Sequence, residues 1–376
     1  MEEFRALICG GGVAATEGLL RLRALAGDSV AITLLAPNDD FVYRPLAVRE
    51  AAGFGPARRC ELSALAESAG AEWIKDTLAG VDTGARKAHT GQGRELSYDA
   101  LLVAVGGRQV VELEHAVAFD DAHASRVYDE VIRDVESGDA LSVAFVVPEG
   151  PVYPLPVYEL ALMTAAAARR AGVARPRLNI VTPEPIALAA FGTSAGVVVS
   201  GLLATAGIRV YASATAYVPG AHELLIQPHG VELSADRIVA MARIAGPQIP
   251  GLAAGAHGFI PIDSQCRVPG TEGRVFAAGD ATTFPVKHGG LGAQQADAAA
   301  AAIALLAGAG GPLPPFQPEI RGKLLTRGEP LYLSATIVGS EGFNSEVSHV
   351  PPWPIDDKIV AEELGPYLAA RDATRG

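Results

Sequence analysis

A glycine-rich turn near the start of the chain has the residue types and the spacing that bind a dinucleotide. The pattern is Gly10-x-Gly12-x-x-Ala15, and it lies between a strand-like segment and a helical one. Gly10 permits a tight turn, Gly12 has no Cβ to keep a pyrophosphate away, and Ala15 lets the helix lie close to the strand. The free N–H groups and the positive dipole end of the helix would face the phosphates. The turn therefore predicts a dinucleotide site.

The acidic residue that completes such a site is missing from its expected place. It usually ends the second strand and binds the ribose hydroxyls. Here that strand ends at Ala36, which Pro37, Asn38 and Asp39 follow. Asn38 and Asp39 are therefore the candidates for the ribose contact.

Two further segments extend the pattern, Leu101-Leu-Val-Ala-Val-Gly106 and Val275-Phe-Ala-Ala-Gly279-Asp280. Together with the first turn they resemble the three FAD signatures of the two-dinucleotide-binding-domain flavoproteins, over nearly the whole chain. The resemblance implies FAD as cofactor, with Gly106 and Gly279 in its site and Asp280 on its ribitol. It also implies that the helix starting at Gly289-Gly290-Leu291-Gly292 points at the flavin, where its N-terminus stabilises the charge of the reduced ring.

Other segments are similar to one branch of the pyridine nucleotide-disulfide oxidoreductase superfamily, that of sulfide:quinone oxidoreductase and type II NADH dehydrogenase. They are Phe41-Val-Tyr-Arg44-Pro45-Leu46, Tyr98-Asp-Ala-Leu101 and Pro285-Val-Lys-His-Gly-Gly290. The resemblance implies that Arg44 and Pro45 belong to a loop that contacts FAD, with Arg44 placed to pair with a phosphate. The glutathione reductase branch does not fit, because its redox relay needs two Cys four residues apart. The three Cys of this chain, at positions 9, 60 and 266, form no such pair.

The second βαβ unit lacks the glycine pattern of a pyridine-nucleotide site. Its first strand ends at Val147, and the turn 148–156 contains four prolines and one glycine. Proline has no N–H to offer a phosphate, and the turn contains no Arg or Lys. We therefore expect no standard NAD(P)H site here, and a degenerate one is the alternative.

The cysteines argue against sulfide chemistry. Sulfide:quinone oxidoreductases carry a reactive Cys shortly before the position of Tyr158-Glu159 and another after the last FAD signature. Residues 151–157 contain no Cys, and no Cys follows Cys266. Cys9 is expected to be a small buried residue, and a disulfide between Cys60 and Cys266 is left open.

Glu159 and Lys287 are the candidate catalytic residues. By resemblance, Glu159 lies on a helix that approaches the flavin and would exchange a proton with a quinone or organic substrate. The alternative is a glutamate that only complements the helix dipole. Lys287 matches a flavin-proximal lysine of the relatives, with a surface charge as the alternative. His288 is a weaker candidate for proton transfer, and Gln294-Gln295 resembles a quinone-side motif or serves helix packing.

The elements that must position these residues alternate between strands and helices, which predicts parallel sheets with helices on their faces. The main predicted elements are strand Arg5–Cys9, helix Val13–Ala26, strand Val30–Leu35, helix Leu62–Ala69, strand Tyr98–Val105, strand Ser142–Val147, helix Tyr158–Ala171, strand Leu178–Thr182, helix Ala195–Ala206, strand Ile208–Tyr211, helix Gly289–Leu306 and a closing helix Ile359–Ala370.

We therefore predict an α/β fold with two Rossmann-like, three-layer ββα dinucleotide-binding domains, the second inserted in the first. The FAD-binding domain is expected to comprise residues 1–110 and 246–320. The second Rossmann-like domain comprises residues 111–245, and a short C-terminal segment comprises residues 321–376.

Composition excludes several classes. A formal charge of −12 over 376 residues argues against a nucleic-acid binder, which needs clustered Lys and Arg. Hydrophobic residues make up 49% of the chain, which excludes a disordered protein. The uncharged run Pro185–Ile208 is long enough to cross a bilayer, but its glycines and hydroxyl residues divide it into loop, helix and strand. We expect no transmembrane segment, no metal site and, from only three Cys, a cytoplasmic setting.

The predicted function is FAD-dependent oxidoreduction, with two electrons passing from an unidentified small-molecule donor to an acceptor that is a candidate quinone. The alternatives are an NAD(P)H:acceptor oxidoreductase with a degenerate nucleotide site and a non-catalytic flavin-binding sensor. The sequence leaves the oligomeric state open, a homodimer included.

Overall fold

The computed structural model describes residues 3–43, 58–120, 123–313, 316–326, 328–338, 342–355 and 357–375. Arg44 and Pro45, which the sequence places in the cofactor site, lie outside these residues. Their role stays a prediction.

The α-helices of the described residues are α1 (Val13–Ala26), α2 (Leu62–Ser68), α3 (Ala124–Ser137), α4 (Leu155–Arg170), α5 (Gly192–Thr205), α6 (Gly289–Leu306) and α7 (Leu364–Arg375). Helices α1 and α6 have the predicted bounds. The closing helix begins at Leu364 and not at Ile359, because the residues before it are held irregular by hydrogen bonds with distant parts of the chain.

The strands of the first unit are β1 (Phe4–Cys9), β2 (Val30–Ala36), β3 (Asp40–Val42), β4 (Arg59–Glu61), β5 (Glu72–Lys75), β6 (Leu78–Asp82), β7 (Lys87–Thr90), β8 (Glu95–Ser97) and β9 (Ala100–Val103). Those of the second unit are β10 (Arg108–Val110), β11 (Val117–Phe119), β12 (Ser142–Val146), β13 (Arg177–Val181), β14 (Ile208–Tyr211), β15 (Thr215–Gly220), β16 (Glu223–Gln227), β17 (Val231–Ser234), β18 (Arg237–Met241) and β19 (Arg243–Ala245). The last strands are β20 (Val275–Ala277), β21 (Glu319–Leu324), β22 (Leu331–Val338) and β23 (Gly342–Ser348).

The first unit is built on a parallel sheet with strand order β20-β9-β1-β2-β5. Ile8 of β1 pairs with Leu34 on one side and with Leu102 on the other. These strands read as continuous apolar runs because both faces of the sheet are covered. Helices α1 and α6 cover one face, and the antiparallel sheet β6-β7-β8 packs on the other.

The second unit repeats this layering. Its parallel sheet has the order β11-β18-β12-β13-β14. Helices α3, α4 and α5 pack on one face, and the antiparallel sheet β15-β16-β17 packs on the other. The predicted α/β class with two three-layer Rossmann-like units is therefore confirmed. Strands β10 and β19 pair with each other, so the chain enters and leaves the second unit through neighbouring strands.

The C-terminal residues form an antiparallel sheet, β21-β22-β23, which the sequence did not predict. Its apolar side chains join the core of the second unit, near the start of α4 and the short helical turn Ala189–Phe191. A Cβ at Gly322 would lie 2.6 Å from the Phe191 ring, so β21 lies tightly against this turn.

The last helix is docked by buried carboxyl groups. The Glu17 carboxylate on α1 accepts the N–H groups of Glu363 at 2.8 Å and Leu364 at 2.6 Å. Asp297 on α6 shares a side-chain hydrogen bond with Glu17. Helices α1, α6 and α7 therefore meet around this carboxyl pair.

The uncharged run Pro185–Ile208 divides into a turn, helix α5 and the start of β14, as the sequence predicted. Among the described residues, no helix combines the length and the apolar character needed to cross a membrane.

Candidate active site

The glycine turn after β1 has the backbone that the sequence predicted. Gly10 has φ of +135°, and a Cβ there would lie 2.1 Å from the carbonyl oxygen of Ala104, so only glycine fits. Gly12 precedes α1, and a Cβ there would meet nothing within 4 Å, which shows that this position faces open space. Ala15 is fully buried. The first hydrogen bond of the helix runs from the Thr16 N–H to the Gly12 carbonyl, so the earlier N–H groups have no acceptor within the helix.

The turn lies at the point where the order of the strands in the sheet reverses. From β1 the chain builds outward through β2 to one edge and through β9 to the other. Ligands of open parallel sheets bind in the crevice at such a point, beyond the carboxyl ends of the strands. Gly106, with φ of +76°, follows β9 on the other side of this crevice.

A second helix brings its N-terminus to the same crevice. Ala14 on α1 lies against Gly292 on α6, where an added Cβ would be 3.6 Å from the Ala14 Cβ. One turn further, a Cβ at Gly18 would lie 3.5 Å from Ala296. The two contacts advance by four residues on each helix, so α1 and α6 pack in parallel with their positive ends side by side.

The turn Gly279–Ala281 closes the crevice between these helix ends. Gly279 has φ of +75°, and a Cβ on Gly292 would lie 3.0 Å from its Cα. The Gly279 N–H donates to Oε1 of Gln295 at 2.7 Å. The Gln295 side chain is buried, and its Nε2 has no hydrogen-bond partner among the described residues. The half-buried Asp280 follows Gly279 at this position.

The residues present fit a dinucleotide. Gly12 leaves space for a group at the end of α1, and neither α1 nor α6 has an acidic residue in its first turn to repel an anion. At the ribose position Asn38 is exposed just after β2, whereas Asp39 pairs with Lys75 at 2.7 Å. Asn38 is therefore the better placed of the two ribose candidates.

The side chain of His288, which was predicted as a weaker candidate for proton transfer, caps the start of α6. Nδ1 of His288 accepts the Leu291 N–H at 3.3 Å. Burial lowers the pKa of His288 to about 4, so the ring is neutral near pH 7. The Leu291 N–H, predicted to face the cofactor, therefore has an acceptor within the protein, and Gly289 and Gly290 are left at the helix end.

Lys287 is buried, so the alternative of a surface charge is wrong. Its Nζ donates to the Thr282 carbonyl and lies 3.7 Å from the centre of the Phe259 ring. Burial lowers the pKa of Lys287 to about 8, and the nearby Asp280 carboxylate partly opposes this shift. The ammonium group therefore lies beside the Gly279–Ala281 turn.

Glu159 is fully buried and lies beyond the first turn of α4, where a carboxylate would complement the helix dipole. Its two carboxylate oxygens lie 2.7 and 2.6 Å from Nζ of Lys358, and one of them also accepts the Leu325 N–H at 2.9 Å. Burial raises the pKa of Glu159, and Lys358 opposes that shift. Sequence reasoning missed Lys358, since no motif surrounds it.

Lys358 belongs to a segment, residues 357–363, that we call the C-terminal strap. The strap lies over the start of α6, where a Cβ on Gly289 would be 2.3 Å from the Ile359 side chain. The Tyr43 hydroxyl accepts the Ile359 N–H at 2.8 Å. The strap therefore contacts the first unit through Tyr43 and the second through Glu159.

At the carboxyl ends of β12 and β13 in the second unit, the protein's own groups bond to one another. Glu184, at the end of β13, accepts hydrogen bonds from the Tyr158 hydroxyl at 2.7 Å and from the Thr182 hydroxyl at 3.1 Å. The Val157 N–H at the start of α4 donates to the Pro154 carbonyl. Leu155 in the first turn of that helix is buried, and a Cβ on Gly322 of β21 would lie 3.2 Å from it.

The cysteines are free thiols in the interior, so the disulfide between Cys60 and Cys266 that the sequence left open is not formed. Burial raises the pKa of Cys9 far above its ordinary value and that of Cys266 to about 12. Neither thiol is therefore ionised near neutral pH, which a nucleophilic cysteine requires.

The sequence matches no protein-family model and no curated protein. Solved structures do resemble it. A sulfide:quinone oxidoreductase from Aquifex aeolicus is similar over 92% of this chain and 87% of its own, with 19% identity and a TM-score of 0.79. The chain has the fold of that oxidoreductase.

Two further structures share this fold. A ferredoxin reductase from Rhodopseudomonas palustris covers 90% of this chain and 84% of its own, with 19% identity and a TM-score of 0.68. An NAD-dependent persulfide reductase from A. fulgidus covers 89% of this chain but only 64% of its own, with 17% identity and a TM-score of 0.65. At these identities the likeness establishes the architecture alone.

Proposed function

We propose that the chain is an FAD-dependent oxidoreductase that passes two electrons from a small-molecule donor to a quinone. The observation that carries this proposal is the convergence of two parallel helix N-termini, α1 and α6, on the crevice between Gly10 and Gly106. One helix end accommodates a pyrophosphate, and the second favours negative charge at another part of the same ligand. A mononucleotide would need only one of them.

The residues of the first unit have distinct tasks in holding FAD. The Gly10–Ala15 turn would bind the pyrophosphate, and Asn38 the ribose hydroxyls. Gly106, where an added Cβ would meet nothing within 4 Å, would leave room for the chain of the ligand, while Gly279 lets its turn pack against Ala14 of α1. The Asp280 carboxylate would accept a ribitol hydroxyl. Gly290 lies at the end of α6 that favours negative charge. Bound FAD would supply reversible two-electron transfer, which the side chains of the protein lack.

Nicotinamide nucleotides are disfavoured as donors. Glu184 is at the position that would bind a ribose in the second unit, but its carboxylate is already bonded to Tyr158 and Thr182. The turn before α4 is rich in proline, and β21 packs against its first residues. Sulfide is disfavoured as well, because burial raises the pKa of the Cys9 and Cys266 thiols and keeps both protonated near neutral pH.

The buried pair of Glu159 and Lys358 supports an acceptor that takes up protons. Reduction of a quinone consumes two protons along with two electrons, and the interior of the protein must deliver them. The pair holds an exchangeable proton between a carboxylate and an ammonium group at 2.6 Å, and Lys358 is part of the strap that covers the start of α6. Such a group can donate a proton to a bound acceptor.

The test begins with the purified full chain, which should be yellow and contain one FAD per chain. Asp280→Ala should lose most of the FAD, whereas Asp82→Ala, on β6 of the same unit, should keep it. A protein that cannot be loaded with FAD would reject the proposal.

Anaerobic mixing then separates the alternatives. A chemically or photochemically reduced sample should be reoxidised rapidly by a soluble quinone, while NADH and NADPH should leave the flavin absorbance unchanged. Rapid bleaching by NADH would favour the NAD(P)H-dependent alternative. Firmly bound FAD that no quinone reoxidises would favour a sensor.

A further inference from the structure

Gln295 is a buried polar residue on the face of α6 that lies against the Gly279–Ala281 turn. It is only 1% exposed. Gly292, one helical turn earlier, lies against the same turn, since a Cβ there would be 3.0 Å from the Cα of Gly279. Ala293 and Ala296 nearby on the helix are small and apolar. Burying an amide costs free energy unless it is hydrogen-bonded, so a glutamine among such residues calls for a specific contact.

The two ends of the Gln295 amide differ in their surroundings. Its Oε1 accepts the Gly279 N–H at 2.7 Å, whereas its Nε2 is buried and has no hydrogen-bond partner within the described part of the chain. Reversing the amide would place its NH₂ group against the Gly279 N–H, so rotation does not remove the cost. A buried donor without an acceptor is destabilising. The bond that Oε1 makes to Gly279 is therefore what this residue contributes.

This bond holds the first residue of the turn that carries Asp280. The Gly279 carbonyl accepts the N–H of Thr282 at 3.1 Å and its hydroxyl at 3.0 Å, so the turn is closed on itself from that side. The Gly279 N–H ties the turn to α6. Gly279 has φ of +75°, and because glycine can adopt many backbone conformations, an outside contact is needed to hold it in this one. Gln295 therefore fixes the direction in which the chain enters Asp280.

We propose that Gln295 is a positioning residue for the cofactor, which holds the Gly279–Ala281 turn so that the Asp280 carboxylate meets the ribitol of FAD. This inference rests on the proposed function. A role on the quinone side does not fit Gln295, because both ends of its amide are enclosed by the protein. The adjacent Gln294 is held elsewhere: its amide bonds the carbonyl of Glu319 at 2.8 Å and the N–H of the same residue at 3.0 Å.

The test is titration of the full-length apoprotein with FAD, followed by the quenching of flavin fluorescence. Gln295→Met keeps the volume of the side chain but removes the acceptor, and it should weaken FAD binding at least about fivefold. Gln295→Glu, which a buried site favours in its neutral acid form, keeps an oxygen for the Gly279 N–H and should restore most of the affinity. Gln294→Met is the matched control and should bind FAD as the parent does, since its bonds are to β21 and not to the turn.

A double-mutant cycle with Asp280→Ala separates positioning from a general structural role. If Gln295 acts through Asp280, Gln295→Met should weaken FAD binding by less than about twofold in the Asp280→Ala background, titrated at higher FAD concentrations. An equal fold-loss in both backgrounds would overturn the inference.

Urea unfolding of the apoproteins checks that each variant folds, and Gln295→Ala, the residue type common on this helix, replaces Gln295→Met if that variant does not. A parent that takes up no FAD would reject the proposed function and this inference with it. A parent that binds FAD no more tightly than Gln295→Met would reject the inference alone.

Discussion

Lys358 and Glu159 form an ion pair in the interior, with both carboxylate oxygens within 2.7 Å of the ammonium nitrogen. The side chains are 6% and 0% exposed. The residues are 199 positions apart, and the pair fixes the C-terminal strap to the second unit. Removing two charges from water is costly, so the pair is favourable only while both partners are present.

Lys358→Met should therefore lower the free energy of unfolding by about 3–5 kcal/mol, because it leaves a buried carboxylate without its counter-charge. The loss should be smaller near pH 4, where Glu159 can be protonated in both states. The double variant E159Q/K358M should recover much of the loss, since it removes both charges. Urea unfolding at several pH values measures each quantity.

The exposed pair of Arg126 and Glu130 provides the control. Its side chains are 60% and 44% exposed, so Glu130→Gln should cost no more than about 1 kcal/mol. If Lys358→Met and Glu130→Gln lower the free energy of unfolding equally, the Glu159 carboxylate is not left as an uncompensated buried charge by the loss of Lys358. Activity separates the roles further: if E159Q/K358M folds stably and still reduces a quinone at the parent rate, the pair does not deliver protons.

Gly10→Ala and Gly12→Ala should separate folding from ligand binding at the same turn. A methyl group on Gly10 meets the Ala104 carbonyl in a backbone conformation that alanine rarely adopts, so the variant should lose at least about 2 kcal/mol of stability. A methyl group on Gly12 meets nothing within 4 Å. That variant should fold almost normally and bind FAD at least about tenfold more weakly. Normal FAD affinity of Gly12→Ala would place the pyrophosphate elsewhere.

The sequence predicts those parts of the site that depend on local structure. The Gly10–Ala15 turn and the bounds of α6 were predicted correctly, because glycine positions and helix periodicity depend only on residues that are close together in the chain. Lys358 could not be found, because its partner is distant and no pattern surrounds it. The role of His288 as a helix cap had a local signal, its position before a glycine-rich helix start, but its burial had none.

Contacts between distant residues also determine the second unit, and the sequence does not predict them. The prolines before α4 are visible in the sequence and predict a poor phosphate turn. The sequence did not reveal that Glu184 is held by Tyr158, or that β21 covers the start of α4, because both require knowledge of which surfaces pack together. The missing phosphate donors are therefore visible in the sequence, whereas the contacts around Glu184 and Leu155 are not.

The contribution of Lys287 to the free energy of unfolding should increase as the pH rises. Burial lowers its pKa to about 8, whereas a lysine in the unfolded chain has a pKa of about 10.4. Between these values the unfolded state binds more protons, so the free energy of unfolding increases with pH from Lys287 alone. The difference between the parent and Lys287→Met should thus grow in favour of the parent from pH 8 to pH 10. Lys75→Met, at an exposed residue, should show no such trend, and a flat difference for Lys287→Met would mean that the ammonium group is not desolvated.

The contribution of Asp297 to the free energy of unfolding should decrease as the pH rises. Burial, together with the neighbouring Glu17 carboxylate, raises the pKa of Asp297 to about 9, against about 3.9 in an unfolded chain. The folded state therefore binds more protons between these values, and the stability that Asp297 contributes at low pH is lost as the pH rises through 9. An amide can donate to Glu17 as the protonated acid does, without this dependence. Asp297→Asn should then be more stable than the parent by at least about 1 kcal/mol at pH 8, with the difference shrinking towards pH 4. Urea unfolding at pH 4.5, 6 and 8 measures the trend; an advantage of equal size at all three would show that Asp297 does not hold the proton of the pair.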